Sequence, residues 1–202
     1  MDNGDIQTHI DTPTDSNGDM RLGRLEFLAM NNPLRRWIQK HIEFKIFKKH
    51  LEKWCVELEG GIIMDAGCGS GYSTELIVNE YHPSQVIAFD YMPEQIRLAR
   101  KRRLKVDFCV GDLRRIESES GTCDAVFIFG VLHHIPQWRK ALSEVARVLK
   151  QGGVLLVDEP LYQFTWEELE YGIRSVGMDI LEVSNFFFQY FHAYLCRKPA
   201  SE

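Results

Sequence analysis

The sequence predicts an α/β fold in which a doubly wound, mostly parallel sheet carries helices on both faces, preceded by an N-terminal helical extension. Two observations support this prediction. After Gly60-Gly61 the chain alternates between short, nearly continuous apolar runs and segments with helical periodicity. The apolar runs are typical of strands that are buried on both faces, as parallel strands are. Because 202 residues suffice for one substantial core, we expect a single main domain at residues 56–202.

The segment before this domain divides into two parts. Residues 1–20 hold five aspartates and neither lysine nor arginine, so we expect a disordered acidic arm. Residues 21–55 are predicted to form a helical cap, because apolar residues such as Leu34 and Trp37 recur every three or four positions from residue 33 onward. The basic residues between them favour a flap packed on the main domain with its charges in water. A cover over a substrate pocket and an interfacial membrane helix are the alternatives.

The strands and helices of the main domain are predicted in order from local signals. Apolar runs predict five strands, at residues 62–66, 86–90, 106–112, 123–130 and 154–160. Helical spacing predicts helices at residues 73–82, 93–103, 138–153 and 166–177. The third of these helices is expected to end at Gly152-Gly153. Two further runs, at residues 178–188 and 190–198, end the chain.

Composition and charge exclude some classes of function. The formal net charge of −5 argues against a dedicated nucleic-acid binder. Five scattered cysteines, without a CxxC pair or zinc-like spacing, indicate reduced thiols in the cytoplasm, and no metal site is expected. The start of the sequence lacks a signal-peptide pattern, and no apolar run approaches the roughly 20 residues of a transmembrane segment.

A glycine-rich loop, Gly67-Cys68-Gly69-Ser70-Gly71, directly follows the first predicted strand. In a doubly wound sheet, ligands bind at the carboxyl ends of strands where the strand order reverses, and this loop lies at such an end. Glycines allow positive φ angles and a close approach of a ligand to the backbone, and the following helix adds free N–H groups. The loop alone does not distinguish between the several nucleotide classes that use glycine turns.

Three acids at the ends of successive strands narrow the choice of ligand. Asp65 stands two residues before the first glycine, where a negative charge disfavours a pyrophosphate and suits a cationic or zwitterionic group. Asp90 ends the second strand, nineteen residues after Gly71, and can accept hydrogen bonds from ribose hydroxyls. Asp112 ends the third strand and can accept a hydrogen bond from the adenine amine. Together the acids describe a nucleoside with an amino-acid tail, such as S-adenosylmethionine; helix capping is the alternative interpretation.

With these motifs the sequence resembles the class I S-adenosylmethionine-dependent methyltransferases over about residues 55–197. The similar stretches are IIMDAGCGSGYST, VIAFDYMPEQIRLAR, FCVGDLRRI and CDAVFIFGVLHHIPQWRKALSEVARVLKQGGVLLVDEP. The resemblance implies a seven-stranded sheet whose last strand, at about residues 190–197, runs antiparallel, and a reaction that leaves S-adenosylhomocysteine. It places these residues around the cofactor: Asp65, Gly67, Cys68, Gly69, Asp90, Tyr91, Met92, Asp112, Leu113 and Phe129. Met92 departs from the serine that is common in the family, so a side-chain cap on the next helix is not expected.

Three side chains near the expected cofactor site are candidates for proton transfer. His133 and His134 follow the fourth strand, where a histidine can take a proton from a hydroxyl, thiol or amine, and His133 is slightly favoured. The alternative is that one histidine packs and caps while the other faces solvent. Glu159, at the end of the fifth strand, is a candidate base or partner for a substrate cation, with a salt bridge or helix cap as the alternative.

Two further patterns are interpreted as structural. The aromatic residues between positions 186 and 191 are expected to pack in the sheet and its helices rather than to form an aromatic cage. The basic residues between positions 97 and 105 end a predicted helix, and we expect them to form a solvated face.

The leading functional hypothesis is a cytoplasmic methyltransferase that acts on a small molecule, as a monomer or homodimer and without a nucleic-acid partner. An RNA or protein methyltransferase is the second hypothesis, motivated by the basic residues at 35–53 and 97–105. A protein that binds S-adenosylmethionine without methylating anything is the third, because little of the sequence is left to cover a substrate.

Overall fold

The computed structural model describes residues 31–160 and 163–200, so the predicted arm and the first ten residues of the predicted cap lie outside the described residues. The α-helices are α1 (Pro33–Ile38), α2 (Phe44–Lys53), α3 (Tyr72–Tyr81), α4 (Pro93–Ala99), α5 (Trp138–Val148) and α6 (Trp166–Ser175). The strands are β1 (Ile62–Ala66), β2 (Gln85–Asp90), β3 (Asp107–Val110), β4 (Cys123–Phe129), β5 (Leu149–Pro160), β6 (Asp179–Phe186) and β7 (Phe191–Arg197). Every helix in these ranges is too short or too polar to cross a bilayer.

The strands of the described residues form one seven-stranded sheet in the order β3-β2-β1-β4-β5-β7-β6. β7 runs antiparallel to both of its neighbours, and the other adjacent pairs are parallel. The predicted mostly parallel sheet with an antiparallel last strand is confirmed. The strand order reverses between β1 and β4, which is where a doubly wound sheet forms a ligand crevice.

Apolar side chains cover both faces of the sheet. On one face, α2, α3 and α4 enclose a layer in which Phe47 packs on Phe127 and Phe129, with ring centroids 6.0 and 5.2 Å away. On the other face, α5 and α6 enclose a layer that contains Leu142 and Tyr194, both fully buried. The two layers hold the carboxyl ends of β1, β4 and β5 at one rim of the sheet.

Neighbouring residues at the end of β5 point into different layers. Leu156 belongs to the layer under α2, and Val157 belongs to the layer under α5. Because side chains alternate along a strand, Asp158 faces the α2 side and Glu159 faces the α5 side. Two acids that are adjacent in sequence therefore lie in separate environments.

The cap helices, which are α1, α2 and the π-helical turn Gln39–Glu43 between them, differ from the apolar stripe that the sequence predicts. Leu34 and Trp37 are 65% and 55% exposed, whereas the polar residues Gln39 and Glu43 are buried. A π-helical turn holds one more residue than an α-helical turn, so it changes which face α1 presents relative to α2. The predicted stripe is wrong for α1 and correct for α2, where Phe47 is buried.

The boundary between α5 and β5 also differs from the prediction. α5 ends at Val148 rather than at Gly152-Gly153, and Leu149 already pairs with Cys123 in the sheet. The glycines lie inside β5, where Gly152 has a φ of +77° and the register with β4 shifts. Glycines mark a local break in regular structure, and here that break is a strand irregularity instead of a helix end.

The aromatic run at the β6–β7 turn is only partly packed. Phe186 and Phe191 stack across the hairpin with ring centroids 5.2 Å apart. Residues 187–189 all have positive φ angles, and the Phe188 side chain between them is fully exposed. The Phe187 ring lies 5.3 and 5.9 Å from the rings of Phe186 and Phe191, so the expectation of packing holds for these three residues and is wrong for Phe188.

Candidate functional site

A cleft opens at the carboxyl ends of β1, β2, β3 and β4, and it encloses about 820 Å³ when the open solvent at its mouth is included. We call it the first cleft. Its lining residues are Gly67, Gly69, Phe89, Asp90, Tyr91, Met92, Gln95, Gly111, Asp112, Leu113, Arg114, Phe129, Gly130, Val131, His134 and Ile135. Eight of the ten residues predicted around the cofactor are among them. Of the other two, Cys68 lines a neighbouring cleft and Asp65 lines neither.

The glycine-rich loop between β1 and α3 has a shape that depends on two of its glycines. Gly67 has a φ of +80°, and a Cβ atom there would lie 2.5 Å from Cγ2 of Val131. Glycine thus lets the loop pack against the segment that follows β4. Gly69 has a φ of +51°, and no heavy atom of the described residues lies within 4 Å of its Cβ position. The backbone at Gly69 is therefore open to close approach by a ligand in the first cleft.

Asp90 joins the glycine-rich loop to the end of β2. Its Oδ2 accepts a hydrogen bond from the Gly69 N–H at 2.9 Å, and its Oδ1 accepts one from the Met92 N–H at 2.8 Å. Burial raises the pKa of Asp90, and the two N–H donors act in the opposite direction. A carboxylate offers about four acceptor positions, so about two remain for the hydroxyls of a ligand. As expected, Met92 makes no side-chain cap on α4.

Asp112 is held by Arg114, a residue that the sequence motifs do not distinguish from its basic neighbour Arg115. The Arg114 N–H donates to Oδ1 of Asp112 at 2.8 Å, and its guanidinium donates to both carboxylate oxygens at 2.7–3.1 Å. Both side chains line the first cleft beside Leu113. This end of the cleft therefore presents acceptors and donors together, as the edge of a purine base requires.

Asp65 lies beneath the glycine-rich loop instead of at the cleft surface. It is buried, and its Oδ2 accepts hydrogen bonds from Ser73 Oγ at 2.7 Å and Thr74 Oγ1 at 2.5 Å. Burial raises the pKa of Asp65 to about 6; the two hydroxyl donors oppose this shift, and the nearby charge of Asp90 adds to it. The side chain therefore fixes the start of α3 under the loop that it precedes.

A second cleft, of about 420 Å³ including its mouth, lies between the cap helices and the glycine-rich loop and shares Gly67, Gly69, Gln95 and Phe129 with the first cleft. Its lining residues are Asn31, Arg35, Arg36, Gln39, Gly67, Cys68, Gly69, Ser70, Tyr72, Ser73, Gln95 and Phe129. Burial raises the pKa of the Cys68 thiol well above its ordinary value, so this wall of the cleft carries a neutral thiol.

Arginine side chains give the second cleft a basic character. Arg35 and Arg36 line it, and the guanidinium groups of Arg36 and Arg102 lie 5.8 and 5.2 Å from the centre of the Tyr72 ring. Arg102 Nε also donates to the Ser70 carbonyl at 2.7 Å, so this residue supports the glycine-rich loop. The expectation of a solvated basic face is therefore wrong for Arg102. The density of basic residues was the available sequence signal, but it did not indicate which of them turn inward.

Glu159 is the centre of a hydrogen-bond network that shapes the segment after β4. It is fully buried, and its Oε1 accepts hydrogen bonds from the N–H groups of Val131 and Leu132 at 2.9 and 2.7 Å. Its Oε2 accepts one from the His133 N–H at 3.3 Å and lies 2.7 Å from His133 Nδ1. With the carboxylate as acceptor, the Nδ1 proton is assigned to His133. Both oxygens of Glu159 are therefore engaged in holding this segment.

His134 is the histidine that lines the first cleft. Its ring lies beside that of His133, with centroids 3.9 Å apart. Burial lowers the pKa of His134 to about 3, and the neighbouring His133 acts in the same direction. The imidazole is therefore neutral near pH 7 and has a nitrogen lone pair that can accept a proton. His133, slightly favoured on sequence grounds, is bonded to Glu159 instead.

Comparison with known proteins identifies related sequences. A family model described as a methyltransferase domain matches residues 64–157. A protein from Mycolicibacterium smegmatis, described as a probable S-adenosylmethionine-dependent methyltransferase, is 32% identical over 124 residues, or 61% of this chain and 45% of that protein. A trans-aconitate 2-methyltransferase from an Azoarcus species is 31% identical over 102 residues, or 50% of this chain and 40% of that protein. The chain spans less than half the length of these curated relatives.

Solved structures share the fold at low sequence identity. An S-adenosylmethionine-dependent methyltransferase from Aquifex aeolicus has a TM-score of 0.72 at 18% identity, covering 88% of this chain and 100% of that one. The PH0226 protein from Pyrococcus horikoshii has a TM-score of 0.71 at 19% identity, covering 84% and 93%. At such identities the likeness shows the fold alone.

Proposed function

We propose that this chain, as a member of the class I S-adenosylmethionine-dependent methyltransferase family, methylates a small molecule. S-adenosylmethionine is the donor of the methyl group. The observation that carries the proposal is the pair of joined clefts at the reversal of the strand order. The first cleft has the strand-end acids Asp90 and Asp112, and the second has Arg36, whereas Arg35 in the second cleft is paired with Glu43. A nucleoside with a zwitterionic tail complements this distribution of charge.

The residues around the clefts fit S-adenosylmethionine. Asp90 has acceptor positions left for the ribose hydroxyls, and Asp112 with Leu113 lies at the end that we assign to the adenine. Arg36 Nε is buried and has no hydrogen-bond partner among the described residues, which suits the carboxylate of an amino-acid tail. Gly69 leaves the backbone open between these positions.

When bound, the cofactor supplies a methyl group on a positively charged sulfur, ready for transfer to a nucleophile. The chain therefore has to bind the two reactants, align them and exclude water. Phe129 lies where the two clefts meet, and we assign it to the wall of the reacting region. The cap helices, part of the cap domain expected at residues 21–55, contribute Arg35 and Gln39 to the second cleft, and we assign them to the cover of the acceptor.

His134 is assigned to take the proton that the acceptor loses. Its pKa of about 3 keeps the imidazole neutral at physiological pH but also makes it a weak base. It therefore suits a nucleophile that becomes strongly acidic as its bond to the methyl carbon forms. His133 and Glu159 are assigned as positioning residues, because their hydrogen bonds hold the segment that carries His134.

A small-molecule acceptor is supported by a relative and by the pairing of the basic residues. The Azoarcus relative is named for methylation of trans-aconitate. In the cap helices, Lys48 pairs with Glu80 and Lys53 pairs with Glu182, which reduces the positive charge open to the phosphates of RNA. This pairing weakens the sequence argument for a nucleic-acid substrate.

Transfer of a labelled methyl group tests the proposal. The full chain is incubated with methyl-labelled S-adenosylmethionine and a cell extract separated into metabolite, RNA and protein fractions. We expect labelled products in the metabolite fraction, with S-adenosylhomocysteine formed in equal amount. Label confined to RNA or protein would favour the second hypothesis, and cofactor binding without label in any fraction would contradict a methyltransferase.

His134→Ala is the matching variant for the proton transfer. We expect its rate to fall by about 10²- to 10⁴-fold, with the affinity for S-adenosylmethionine unchanged. His82→Asn serves as the control, because His82 is exposed at the end of α3 in a left-handed conformation that asparagine tolerates. An unchanged rate in His134→Ala would remove this residue from the mechanism.

A further inference from the structure

Asp158 is a buried carboxyl that the proposed mechanism does not use. It lies at the end of β5, is fully buried, and has no hydrogen-bond partner for either side-chain oxygen among the described residues. The Gly130 N–H donates to the Asp158 backbone carbonyl at 2.9 Å; it also acts weakly on the nearby carboxyl, but neither carboxyl oxygen receives a hydrogen bond from it. Nearly all buried polar groups in proteins have a partner, so an exception requires an explanation.

The charged groups around Asp158 do not supply the hydrogen bonds that its side chain lacks. Glu43 and Arg35 act on it electrostatically from the cap helices, and Glu159 does so from its own strand. Glu43 is also buried, and Arg35 Nη1 donates to both of its carboxylate oxygens at 2.8 Å. One nitrogen of the guanidinium, Nη1, is thus committed to Glu43. We call Asp158, Glu43 and Arg35 the Asp158 cluster; it holds two carboxyls against one cation.

The Asp158 cluster lies beside the second cleft. In the sheet, Asp158 pairs with Phe129, which lines both clefts. Arg35 belongs to the cluster and also lines the second cleft. Glu43 reaches the cluster from the π-helical turn Gln39–Glu43, and turns of this type occur frequently at functional sites. Asp158 and Glu43 are buried and line neither cleft, so the cluster borders the second cleft through Arg35 and through Phe129, the strand neighbour of Asp158.

We propose that the Asp158 cluster binds a primary or secondary amino group of the methyl acceptor. The inference rests on the proposed function and names the class of substrate that it uses. An amine offers N–H donors, and a protonated amine also offers the positive charge that balances two carboxyls against one guanidinium. A carboxylate or phosphate has no N–H donor to offer the unpartnered oxygens of Asp158.

The protonation of Asp158 agrees with this assignment. Burial raises its pKa well above the ordinary value, and Glu43 and Glu159 add to the shift while Arg35 opposes it. Without an acceptor, these influences together favour the neutral carboxyl over the carboxylate. An ammonium group that binds can replace the proton that the neutral carboxyl holds.

A chemically blocked extract provides the test of substrate class. One half of a metabolite extract is treated with N-succinimidyl acetate, which acylates primary and secondary amines, and both halves are offered to the full chain with methyl-labelled S-adenosylmethionine. We expect the labelled product to fall at least tenfold in the acylated half. Equal labelling of both halves would overturn the inference and leave the proposed function standing.

Two variants test whether the Asp158 cluster binds the amino group of the acceptor. Asp158→Asn and Glu43→Gln should each lower the rate at least tenfold at limiting extract, with a smaller loss when the extract is concentrated. Asp179→Asn, at an exposed aspartate that begins β6, is the control and should keep the wild-type rate. Wild-type rates in both cluster variants would overturn the assignment.

Calorimetric titration with S-adenosylmethionine separates failure of the inference from failure of the proposed function. Both cluster variants should bind the cofactor within threefold of the wild-type affinity, which also verifies that they fold. If the wild-type chain neither binds the cofactor nor labels either half of the extract, the proposed function and the inference built on it both fall.

Discussion

Glu159 and Asp158 are adjacent at the end of β5 and equally buried, but their hydrogen bonding differs completely. Glu159 accepts three backbone N–H groups and engages the ring of His133. Asp158 has no partner for either side-chain oxygen in the part of the chain that the structure describes. The strand turns the two side chains to opposite faces, so Glu159 meets the segment after β4 and Asp158 meets the cap helices.

The difference distinguishes a carboxyl that stabilises the fold through its hydrogen bonds from a carboxyl that is buried without them. Hydrogen bonds from N–H donors replace the hydration that a buried carboxylate loses, whereas a carboxyl without donors retains that cost. Stability and function often conflict at binding sites, where costly groups are kept for a ligand. We therefore interpret the β5 end as structural on its α5 side and functional on its α2 side.

The largest expected effect on stability concerns Glu159, the acid that we interpret as structural. Glu159→Leu removes the acceptor of three N–H groups and of His133, so we expect the free energy of unfolding to fall by about 4 kcal/mol. Urea denaturation measures it. Glu119→Leu, at an exposed glutamate, should change stability by less than about 0.5 kcal/mol. A similarly small loss of stability for Glu159→Leu would contradict the structural role that we assign to Glu159.

Asp65 is an intermediate case, because it is buried but accepts only two hydroxyl hydrogen bonds. Its pKa rises from 3.8 to about 6, so between these pH values the folded chain holds a proton that the unfolded chain releases. This group's contribution to stability therefore falls as the pH rises from about 4 to 6 and stays low above that.

Asp65→Asn tests this pH dependence. The stability of the wild type relative to the variant should decrease by up to about 3 kcal/mol between pH 4 and pH 7. Denaturant unfolding of both proteins across this range gives the measurement. A stability difference that stays constant with pH would show that Asp65 has an ordinary pKa in the folded chain.

The smallest expected effect has the opposite sign and tests the functional half. Asp158→Val replaces the carboxyl without donors by an apolar side chain of similar size, so stability should stay the same or rise by about 1–2 kcal/mol. The same denaturation experiment applies, with Glu159→Leu as the paired variant. A loss above about 2 kcal/mol would mean that Asp158 supports the fold after all.

Much of the fold could be predicted because the signals are local. Apolar runs and helical spacing depend on neighbouring residues, and the sheet predicted from them is confirmed. The exceptions depend on long-range packing. Gly152-Gly153 could not be placed in β5 without the pairing of Leu149 to Cys123, and the exposure of Trp37 follows from a π-helical turn that leaves no periodic signal.

Predictions for the candidate site also succeed where the signal is local and fail where long-range packing decides. The position of Asp90 in the first cleft could be predicted because Asp90 ends a strand, whereas nothing in the sequence distinguishes Asp158 from its neighbour Glu159. Its environment depends on how the cap helices dock, which sets the positions of Glu43 and Arg35. The assignments of Asp90, His134 and the Asp158 cluster to roles in methyl transfer remain predictions for experiment.

Titration of the cofactor-free full chain with S-adenosylmethionine by calorimetry tests the central claim most directly. We expect one saturable site whose affinity falls at least about 100-fold in Asp90→Ala, because that variant loses the acceptor of the ribose hydroxyls. Asp179→Asn should bind like the wild type. No heat of binding from a folded, cofactor-free sample, or equal affinity in Asp90→Ala, would contradict the account.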